Sequence, residues 1–498
     1  MTDTRWTAIE NAAQPSLAAL FADDLARLDR LTLDEAGIYF DFAKTHLDGD
    51  LIDAFAALAR AQDLAAKREA LFAGEAVNPS EGRAAEHSAQ RGQGSPKSVA
   101  IANALHARMR SLAEAIDAGA LGDIRHILHL GIGGSALGPD LVIDALGRGG
   151  AAYDVAIVSN VDGAALAGPF ELFDPHRTLV VVASKSFATG ETMLNAQSAL
   201  AWLAAAGVAD PHGQLVALTA DPDKALEFGI DETRILPFPE TIGGRYSLWS
   251  SIGFPIALAL GWDTFEQLLE GAAAMDRHFR LAEWSINAPA LAAFADLYYA
   301  QVRCGETRGI FAYDERLRLL PAYVAQLGME SNGKRVGADG KPFDRDSSAI
   351  VWGGTGTDAQ HAVFQLLHQG THLLPVEFVA VAESDDGLDP AHREALLINC
   401  FAQGAALMAG NEADDPARAC PGDRPSTTIL LERLDAASLG ALLAFYEHRT
   451  FVEAALLGIN PFDQFGVDLG KTIARAIAQD DDSVKLDAST KALIERGL

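Results

Sequence analysis

The sequence predicts an α/β protein with two doubly wound parallel-sheet domains, a helical N-terminal segment and a C-terminal helix. Short β-branched runs each end in a Gly/Ser/Thr cluster and lead into a helical pattern, which is the alternation of βαβ units. The runs form two series separated by a helical stretch. The length of 498 residues allows about three to five folding units, or two large ones with additions.

The chain opens with a helical pattern. From about Leu17 to Gly122, apolar residues recur at spacings of three and four, as in Leu17, Leu20 and Leu28. A polar break covers residues 78–94. We therefore predict a helical N-terminal segment over residues 1–120.

The predicted strands follow in two series. The first series is His126–Leu130, Val155–Val158, Thr178–Ala183 and Leu215–Thr219. The second series is Ile310–Tyr313, Ala349–Trp352, Val376–Val381 and Thr427–Leu431. They predict one α/β domain over residues 121–290 and another over 291–450, with a C-terminal segment at 451–498. Residues 383–390 and 411–425 are predicted as surface loops, and 485–498 as a short helix.

Charge and cysteine content limit the possible partners and compartment. The formal net charge is −29, which argues against a nucleic-acid binder that works by bulk attraction. Three widely spaced cysteines, Cys304, Cys400 and Cys420, fit neither a disulfide framework nor a zinc site. No signal peptide or membrane span is expected. These features predict a cytoplasmic protein.

A glycine-rich loop follows the first predicted strand. Residues 131–139 read GIGGSALGP, so that backbone N–H groups and the next helix N-terminus converge, as in an anion site. The pattern Gly131-x-Gly133-x-x-Ala136 also meets the loose dinucleotide fingerprint, but Asn160 rather than an acidic residue follows the second strand. The alternative is a tight turn with no ligand.

A second candidate anion loop follows the strand that ends at Ala183. Residues 184–192 read SKSFATGET, and their hydroxyls with Lys185 suit a phosphate monoester at the start of a helix near Met193. The alternative is that they are ordinary helix N-caps. Two such loops in adjacent βα units predict one small phosphorylated ligand. The sequence has no Walker-type motif for a nucleoside triphosphate.

A candidate base lies on a helix predicted over Pro321–Ser331. Gln326 and Glu330 share one face, and Glu330 lies in the last turn, where the helix dipole disfavours a negative charge. A carboxylate held there is suited to removing a proton next to a carbonyl. The alternative is a surface ion pair with Lys334.

Further candidates occur in the second half of the chain. Gly353–Thr357 is predicted as a glycine-rich strand end ahead of His361. His361 and His368 are predicted on one helical face, at a spacing that does not indicate zinc. His361 is a candidate general acid/base, the alternative being a structural histidine. Near the C-terminus, Gln464 and Lys471 are predicted to share a helical face, with a surface lysine as the alternative for Lys471.

Several of these segments together resemble the phosphoglucose isomerase family, in the family's order, from about residue 71 to residue 471. The motifs are Leu71–Glu75, Asn78–Arg83, Gly131–Pro139, Ser184–Thr192, Gly243–Ser250 (GGRYSLWS), Met329–Lys334 (MESNGK), Gln360-His361, His368–Thr371 and Phe462–Lys471. The motifs GGRYSLWS and MESNGK are specific to that family.

The resemblance implies two sugar-isomerase (SIS), flavodoxin-like domains and reversible aldose–ketose isomerisation of glucose 6-phosphate and fructose 6-phosphate, a step of glycolysis and gluconeogenesis. It implies no metal, no cofactor and a homodimer whose subunits share the active sites. The substrate and its phosphate would be held by Gly134, Ser135, Ser184, Lys185, Ser186, Thr189, Gly244, Gln326 and Gln464.

The resemblance also implies the catalytic roles. Glu330 would move a proton between C2 and C1 through a cis-enediol(ate), with Arg245 near the developing oxyanion. His361, supplied by the partner subunit, oriented by Glu191 and working with Lys471, would open the sugar ring.

The chain departs from the family pattern ahead of His361. It reads GGTGTDAQH over residues 353–361, where the family has GEPGTNGQH, which predicts a differently shaped loop. Ser186, Gly190, Pro461 and Phe465 also replace the usual family residues. None of these changes removes a proposed catalytic group.

Two other functions stay open at this stage. An isomerase of a related sugar phosphate, such as mannose 6-phosphate, would share every motif. A sugar-phosphate-sensing SIS regulator would need the phosphate loops without Glu330, His361 or Lys471. The presence of all three disfavours the regulator.

Overall fold

The structure, a computed structural model, describes residues 4–383, 387–479, 481 and 484–498. One compact unit extends to Pro461, and a second begins at Phe462. In the described residues, no helix combines the length and the apolar composition needed to cross a bilayer.

The helices of the first unit are α1 Thr7–Glu10, α2 Leu17–Asp23, α3 Arg27–Leu31, α4 Gly49–Ala61, α5 Leu64–Ala73, α6 Pro96–Asp117, α7 Leu137–Gly147, α8 Gly163–Leu172, α9 Gly190–Ala205, α10 Pro222–Glu227, α11 Phe254–Leu260, α12 Trp262–Leu281, α13 Ala288–Gln301, α14 Leu320–Asn332, α15 Gly356–Ala362, α16 Phe364–Gln369, α17 Pro390–Ala409 and α18 Ala436–Leu457. The second unit contains α19 Asp468–Ala478 and α20 Ala488–Gly497.

The strands are β1 Thr32–Glu35, β2 Ile38–Asp41, β3 His126–Gly131, β4 Asp154–Val158, β5 Thr178–Ala183, β6 Leu215–Thr219, β7 Ile235–Pro237, β8 Thr307–Tyr313, β9 Ile350–Thr355, β10 Val376–Val381 and β11 Ser426–Leu431. All eight predicted strands are confirmed, with bounds that differ by three residues at most.

The first sheet is parallel throughout, in the order β4-β3-β5-β6-β7. Its middle strand, β5, is buried at all six positions because helices cover both faces. Apolar residues of the neighbouring strands and of α9 complete this core. The short strand β7 was not predicted, since three residues that end in Pro237 carry little strand pattern.

The second sheet is mixed, in the order β1-β2-β11-β10-β8-β9. Strands β8 to β11 are parallel, as the predicted fold class requires, and β10 is buried at all six positions. Strands β1 and β2 form an antiparallel hairpin that extends this sheet beyond β11. The N-terminal segment therefore contributes to the second sheet and is not wholly helical as predicted.

The hairpin β1–β2 has a local physical cause. Its two loop residues, Ala36 and Gly37, have φ angles of 54° and 76°, the left-handed pair that matches the twist of a two-residue hairpin. In β2, Ile38 and Phe40 are fully buried whereas Tyr39 between them is 40% exposed. This alternation of buried and exposed residues indicates a strand, but the apolar spacings of three and four around it led to the prediction of a helix.

Helix α18 is buried along nearly its whole length and packs against α12. The two backbones approach closely at two glycines. A Cβ at Gly440 would lie 2.0 Å from the carbonyl oxygen of Leu268, and one at Gly271 would lie 1.8 Å from that of Ala437. Both contacts are to backbone atoms, which cannot swing away as a side chain would. The position of α18 therefore depends on these glycines.

We expect Gly440→Ala to lower the free energy of unfolding by about 3 kcal/mol or more, because the added methyl group must push two packed helices apart. The matched control is Gly163→Ala at the start of α8, where no atom lies within 4 Å of the added Cβ, and we expect a change below about 0.5 kcal/mol. Urea unfolding of both variants measures the difference. Equal midpoints for the two variants would contradict the close helix contact.

Candidate active site

The glycine loop after β3 is shaped by contacts to two other segments. Gly133 has a φ of 59°, and a Cβ there would lie 2.9 Å from Gln326 Nε2. At Gly134, a Cβ would lie 2.1 Å from the carbonyl oxygen of Gly244, so only glycine fits. The structure therefore brings three predicted site residues, Gly134, Gly244 and Gln326, to one place.

A buried histidine supports this loop from inside the sheet. His129 on β3 is fully buried, and its Nε2 donates to the carbonyl oxygen of Ser135 at 2.7 Å. A carbonyl oxygen can only accept, which assigns the proton to Nε2. Burial lowers the pKa of His129 to about 4, against the partial compensation of the bond to Ser135. The ring is therefore neutral at physiological pH.

The second predicted anion loop leaves the same edge of the sheet. Ala183, at the end of β5, pairs with Gly131 at the end of β3, so both loops begin side by side. The hydroxyls of Ser184 and Thr189 are hydrogen-bonded at 2.9 Å, while Ser186 is exposed. Helix α9 begins at Gly190, three residues before the predicted start.

The ammonium group of Lys185, a predicted phosphate ligand, is held by two backbone carbonyl oxygens. Its Nζ donates to the carbonyl oxygens of Glu240 at 2.7 Å and Ile242 at 2.9 Å. Burial lowers its pKa to about 8, and the charge of Arg83 adds to that effect. Lys185 therefore ties the loop at 184–189 to the segment that leads into Gly244.

Glu330 lies in the last turn of α14, as predicted, and Gly333 caps the helix. Its Oε2 accepts from Gln326 Nε2 at 3.0 Å and lies 3.6 Å from Nη1 of Arg245. These two contacts place the carboxylate of Glu330 beside Arg245 and Gln326. The predicted base thus faces a cation and a predicted substrate-positioning amide.

Arg245 is buried and held by several hydrogen bonds. Its Nε donates to Ser331 Oγ at 2.7 Å, and its Nη2 donates to the carbonyl oxygen of Pro461. The hydroxyl of Tyr246 lies 2.9 Å from the same Ser331 Oγ. Neither Ser331 nor Tyr246 was assigned a function from the sequence, although Ser331 belongs to the motif MESNGK and Tyr246 to GGRYSLWS.

His361 lies on α15 and is exposed. The structure does not bring it to Glu191, which is also exposed; in the described part of the chain neither side chain has a hydrogen bond or ion pair. The helix breaks at Val363, whose φ is −126°, so His361 and His368 lie on separate helices and the predicted common face is wrong. Gly353 lies in β9, which ends at Thr355 within the predicted strand end.

Helix α15 is joined to its neighbours by the residue before His361. Gln360 accepts from the hydroxyl of Tyr313 at 2.8 Å and donates to Asn399 on α17 at 3.2 Å. These bonds fix the backbone on which His361 is mounted.

The last two predicted site residues belong to the second compact unit. Gln464 precedes a short 3-10 turn at Phe465–Val467, and Lys471 is exposed on α19, which begins only at Asp468. The predicted shared helical face is therefore wrong. Among the described residues, no group of three His, Cys, Asp or Glu side chains is arranged to hold a metal ion.

Comparisons with known proteins agree along the whole chain. The family model described as phosphoglucose isomerase matches residues 41–494. A glucose-6-phosphate isomerase of Rhizorhabdus wittichii is 66% identical over 100% of both chains, and that of Zymomonas mobilis is 62% identical over 100% of this chain and 98% of its own. The crystal structure of a glucose-6-phosphate isomerase from Chlamydia trachomatis superposes with a TM-score of 0.92 at 29% identity, covering 99% of each chain.

We expect stability to depend on His129 in acid. Between its unfolded pKa of 6.5 and its folded pKa of about 4, the unfolded chain binds a proton that the native chain does not. Its stabilising contribution is thus complete above 6.5 and declines as the pH falls. Between neutral pH and about pH 5, the free energy of unfolding should therefore fall by about 2 kcal/mol more in the wild type than in His129→Gln.

Urea unfolding at the two pH values measures this loss. The exposed His392 provides the control, and we expect His392→Gln to follow the wild type. If His129→Gln lost stability in parallel with the wild type, the neutral, buried state of His129 would be disproved.

Proposed function

Because this chain belongs to the phosphoglucose isomerase family and catalyses the reversible isomerisation of glucose 6-phosphate and fructose 6-phosphate, we propose that Glu330 is the base of that reaction. The observation that supports this role is the position of its carboxylate, 3.6 Å from the Arg245 guanidinium and hydrogen-bonded to Gln326 beside the glycine loop.

The proposed chemistry follows from these two groups. Removal of the C2 proton of the open-chain aldose leaves negative charge on the substrate oxygen, and redelivery of the proton to C1 completes a cis-enediol(ate) pathway. Glu330 carries the proton. Arg245, buried and fixed before the reaction, stabilises the developing oxyanion without reorganising.

The substrate phosphate is proposed to bind where β3 and β5 end. Gly134 and Ser135 contribute the glycine loop, and Ser184, Ser186 and Thr189 contribute hydroxyls at the start of α9. Lys185 contributes its third ammonium proton to the phosphate in this proposal, while its other two protons hold the loop through carbonyl oxygens. Gln326, Gly244 and Gln464 position the sugar.

Ring opening is proposed to use His361 from the partner subunit, with Lys471 and with Glu191 as the orienting carboxylate. The exposure of His361 and Glu191 supports a homodimer, because each side chain is available to a second copy. Helix α17 supports it further, since Ile398 and Phe401 on its outer face are 57% and 46% exposed, as Leu366 on the adjacent α16 is at 45%.

A reducing compartment, the cytoplasm, is proposed for the protein. All three cysteines are unpaired, and Cys400 is buried among apolar side chains next to β10. Burial raises its pKa to about 12, so that it is a packing residue rather than a reactive thiol.

We expect Glu330→Gln to lower isomerisation by about 10³-fold or more, because the amide cannot accept the proton. Binding of fructose 6-phosphate, measured by calorimetry, should persist. Deuterium entry at C1 in D2O, followed by NMR, measures the lost step. Glu227→Gln changes an exposed glutamate that also ends a helix, and this control should retain full exchange. An active Glu330→Gln enzyme would identify a different base.

Mixed dimers test whether His361 is shared. In a dimer of one Glu330→Gln and one His361→Ala subunit, a shared arrangement puts both changes in one site and leaves the other intact. Co-expressed chains should therefore recover about a quarter of wild-type activity per subunit, since half of randomly formed dimers are mixed. Each variant expressed alone gives the baseline. A mixture no more active than its parents would place Glu330 and His361 of one site on the same chain.

A further inference from the structure

Two residues of the specific motifs, Ser331 and Tyr246, have no role in the proposed reaction and lie beside Arg245. Ser331 follows Glu330 on α14, and Tyr246 follows Arg245 in the 3-10 turn Gly244–Trp249. Neighbouring residues of one element thus contact neighbouring residues of the other. Ser331 has no exposed surface, and Tyr246 is 2% exposed.

The hydroxyl of Ser331 limits how the guanidinium can turn. Arg245 Nε donates to Ser331 Oγ at 2.7 Å, while Nη1 lies 3.6 Å from Glu330 Oε2. A guanidinium and a carboxylate readily form two short parallel bonds, which would neutralise the base. The bond at Nε holds the guanidinium plane in the observed, looser arrangement.

Tyr246 holds the serine hydroxyl in turn. Its phenolic oxygen lies 2.9 Å from Ser331 Oγ, and its ring stacks on that of His87 at 4.7 Å between centroids. A serine hydroxyl hydrogen can rotate unless a neighbour holds it, and this contact orients the hydroxyl so that a lone pair of Oγ is left to accept from Arg245 Nε.

We propose that Ser331 and Tyr246 are positioning residues that act through Arg245 and keep its guanidinium aimed at the substrate oxyanion rather than in a bidentate pair with Glu330. This inference rests on the proposed function of Arg245. Ser331 contacts Arg245 and Tyr246 at the proposed oxyanion donor, so the effect of both residues should fall on kcat and not on KM.

Single variants give the first test. We expect Ser331→Ala to lower kcat about 10- to 100-fold, and Tyr246→Phe to lower it about 3- to 10-fold, with KM for fructose 6-phosphate within about 2-fold of wild type. Ser251, another buried serine, donates to the carbonyl oxygen of Leu236 at 3.0 Å. The control Ser251→Ala should keep kcat within about 2-fold.

A double-mutant cycle separates positioning from a structural role. In an Arg245→Ala background, Ser331→Ala and Tyr246→Phe should each change kcat by less than about 2-fold, because the group they position is gone. If each variant cost as much in that background as in the wild type, the proposal would be overturned, and this outcome can be read from Tyr246→Phe alone if Ser331→Ala does not fold.

The same cycle distinguishes failure of the proposed function of Arg245 from failure of the positioning role of Ser331 and Tyr246. Wild-type activity in Arg245→Ala would refute the proposed function of Arg245. An impaired Arg245→Ala enzyme beside fully active Ser331→Ala and Tyr246→Phe enzymes would refute only their positioning role.

Discussion

Helix α18 is enclosed by the rest of the protein and still carries charged side chains, so each charge needs a partner inside. Two of its carboxylates reach the elements of the active site. Glu447 accepts from Trp249 Nε1 at 2.7 Å, and Glu453 accepts from Asn332 Nδ2 at 2.9 Å. Trp249 ends the turn that contains the proposed oxyanion donor, and Asn332 ends the helix that contains the proposed base. One buried helix therefore sets the spacing of the two catalytic elements from behind.

The buried ion pairs of α18 fix the position of the helix more than they add to the free energy of unfolding. Arg91 bonds to Glu447 and to both carboxylate oxygens of Asp276, and Arg449 pairs with Asp296 and Glu377, all in the interior. The desolvation of such pairs offsets much of their attraction, whereas removal of one partner costs about 3–5 kcal/mol. The network thus contributes little net stability but penalises any arrangement in which α18 is displaced, and this serves a site whose groups must keep fixed distances.

Sequence patterns predicted those parts of the molecule that depend on local burial. A strand that is buried on both faces of a parallel sheet is a continuous apolar run, so the sequence predicted the parallel strands. The hairpin at Ala36-Gly37 was missed because its alternation is short and lies among residues with helical spacing. The break at Val363 lies within an unbroken run of helix-compatible residues, so spacing alone could not predict it. The hydrogen bonds of Lys185 could not be predicted, because their acceptors are carbonyl oxygens some fifty-five residues away, and every residue type has a backbone carbonyl oxygen.

The contact between Gly134 and Gly244 has a consequence for how this enzyme can change. Because an added Cβ at Gly134 would lie 2.1 Å from the carbonyl oxygen of Gly244, any side chain at position 134 would force the two loops apart, and their separation cannot be changed there in small steps. A change of preference toward another hexose phosphate would therefore have to come from substitutions elsewhere, for example at the exposed Ser186. In the proposed site, this contact also holds constant the distance between the bound phosphate and Arg245, and that distance sets the length of the sugar chain that fits.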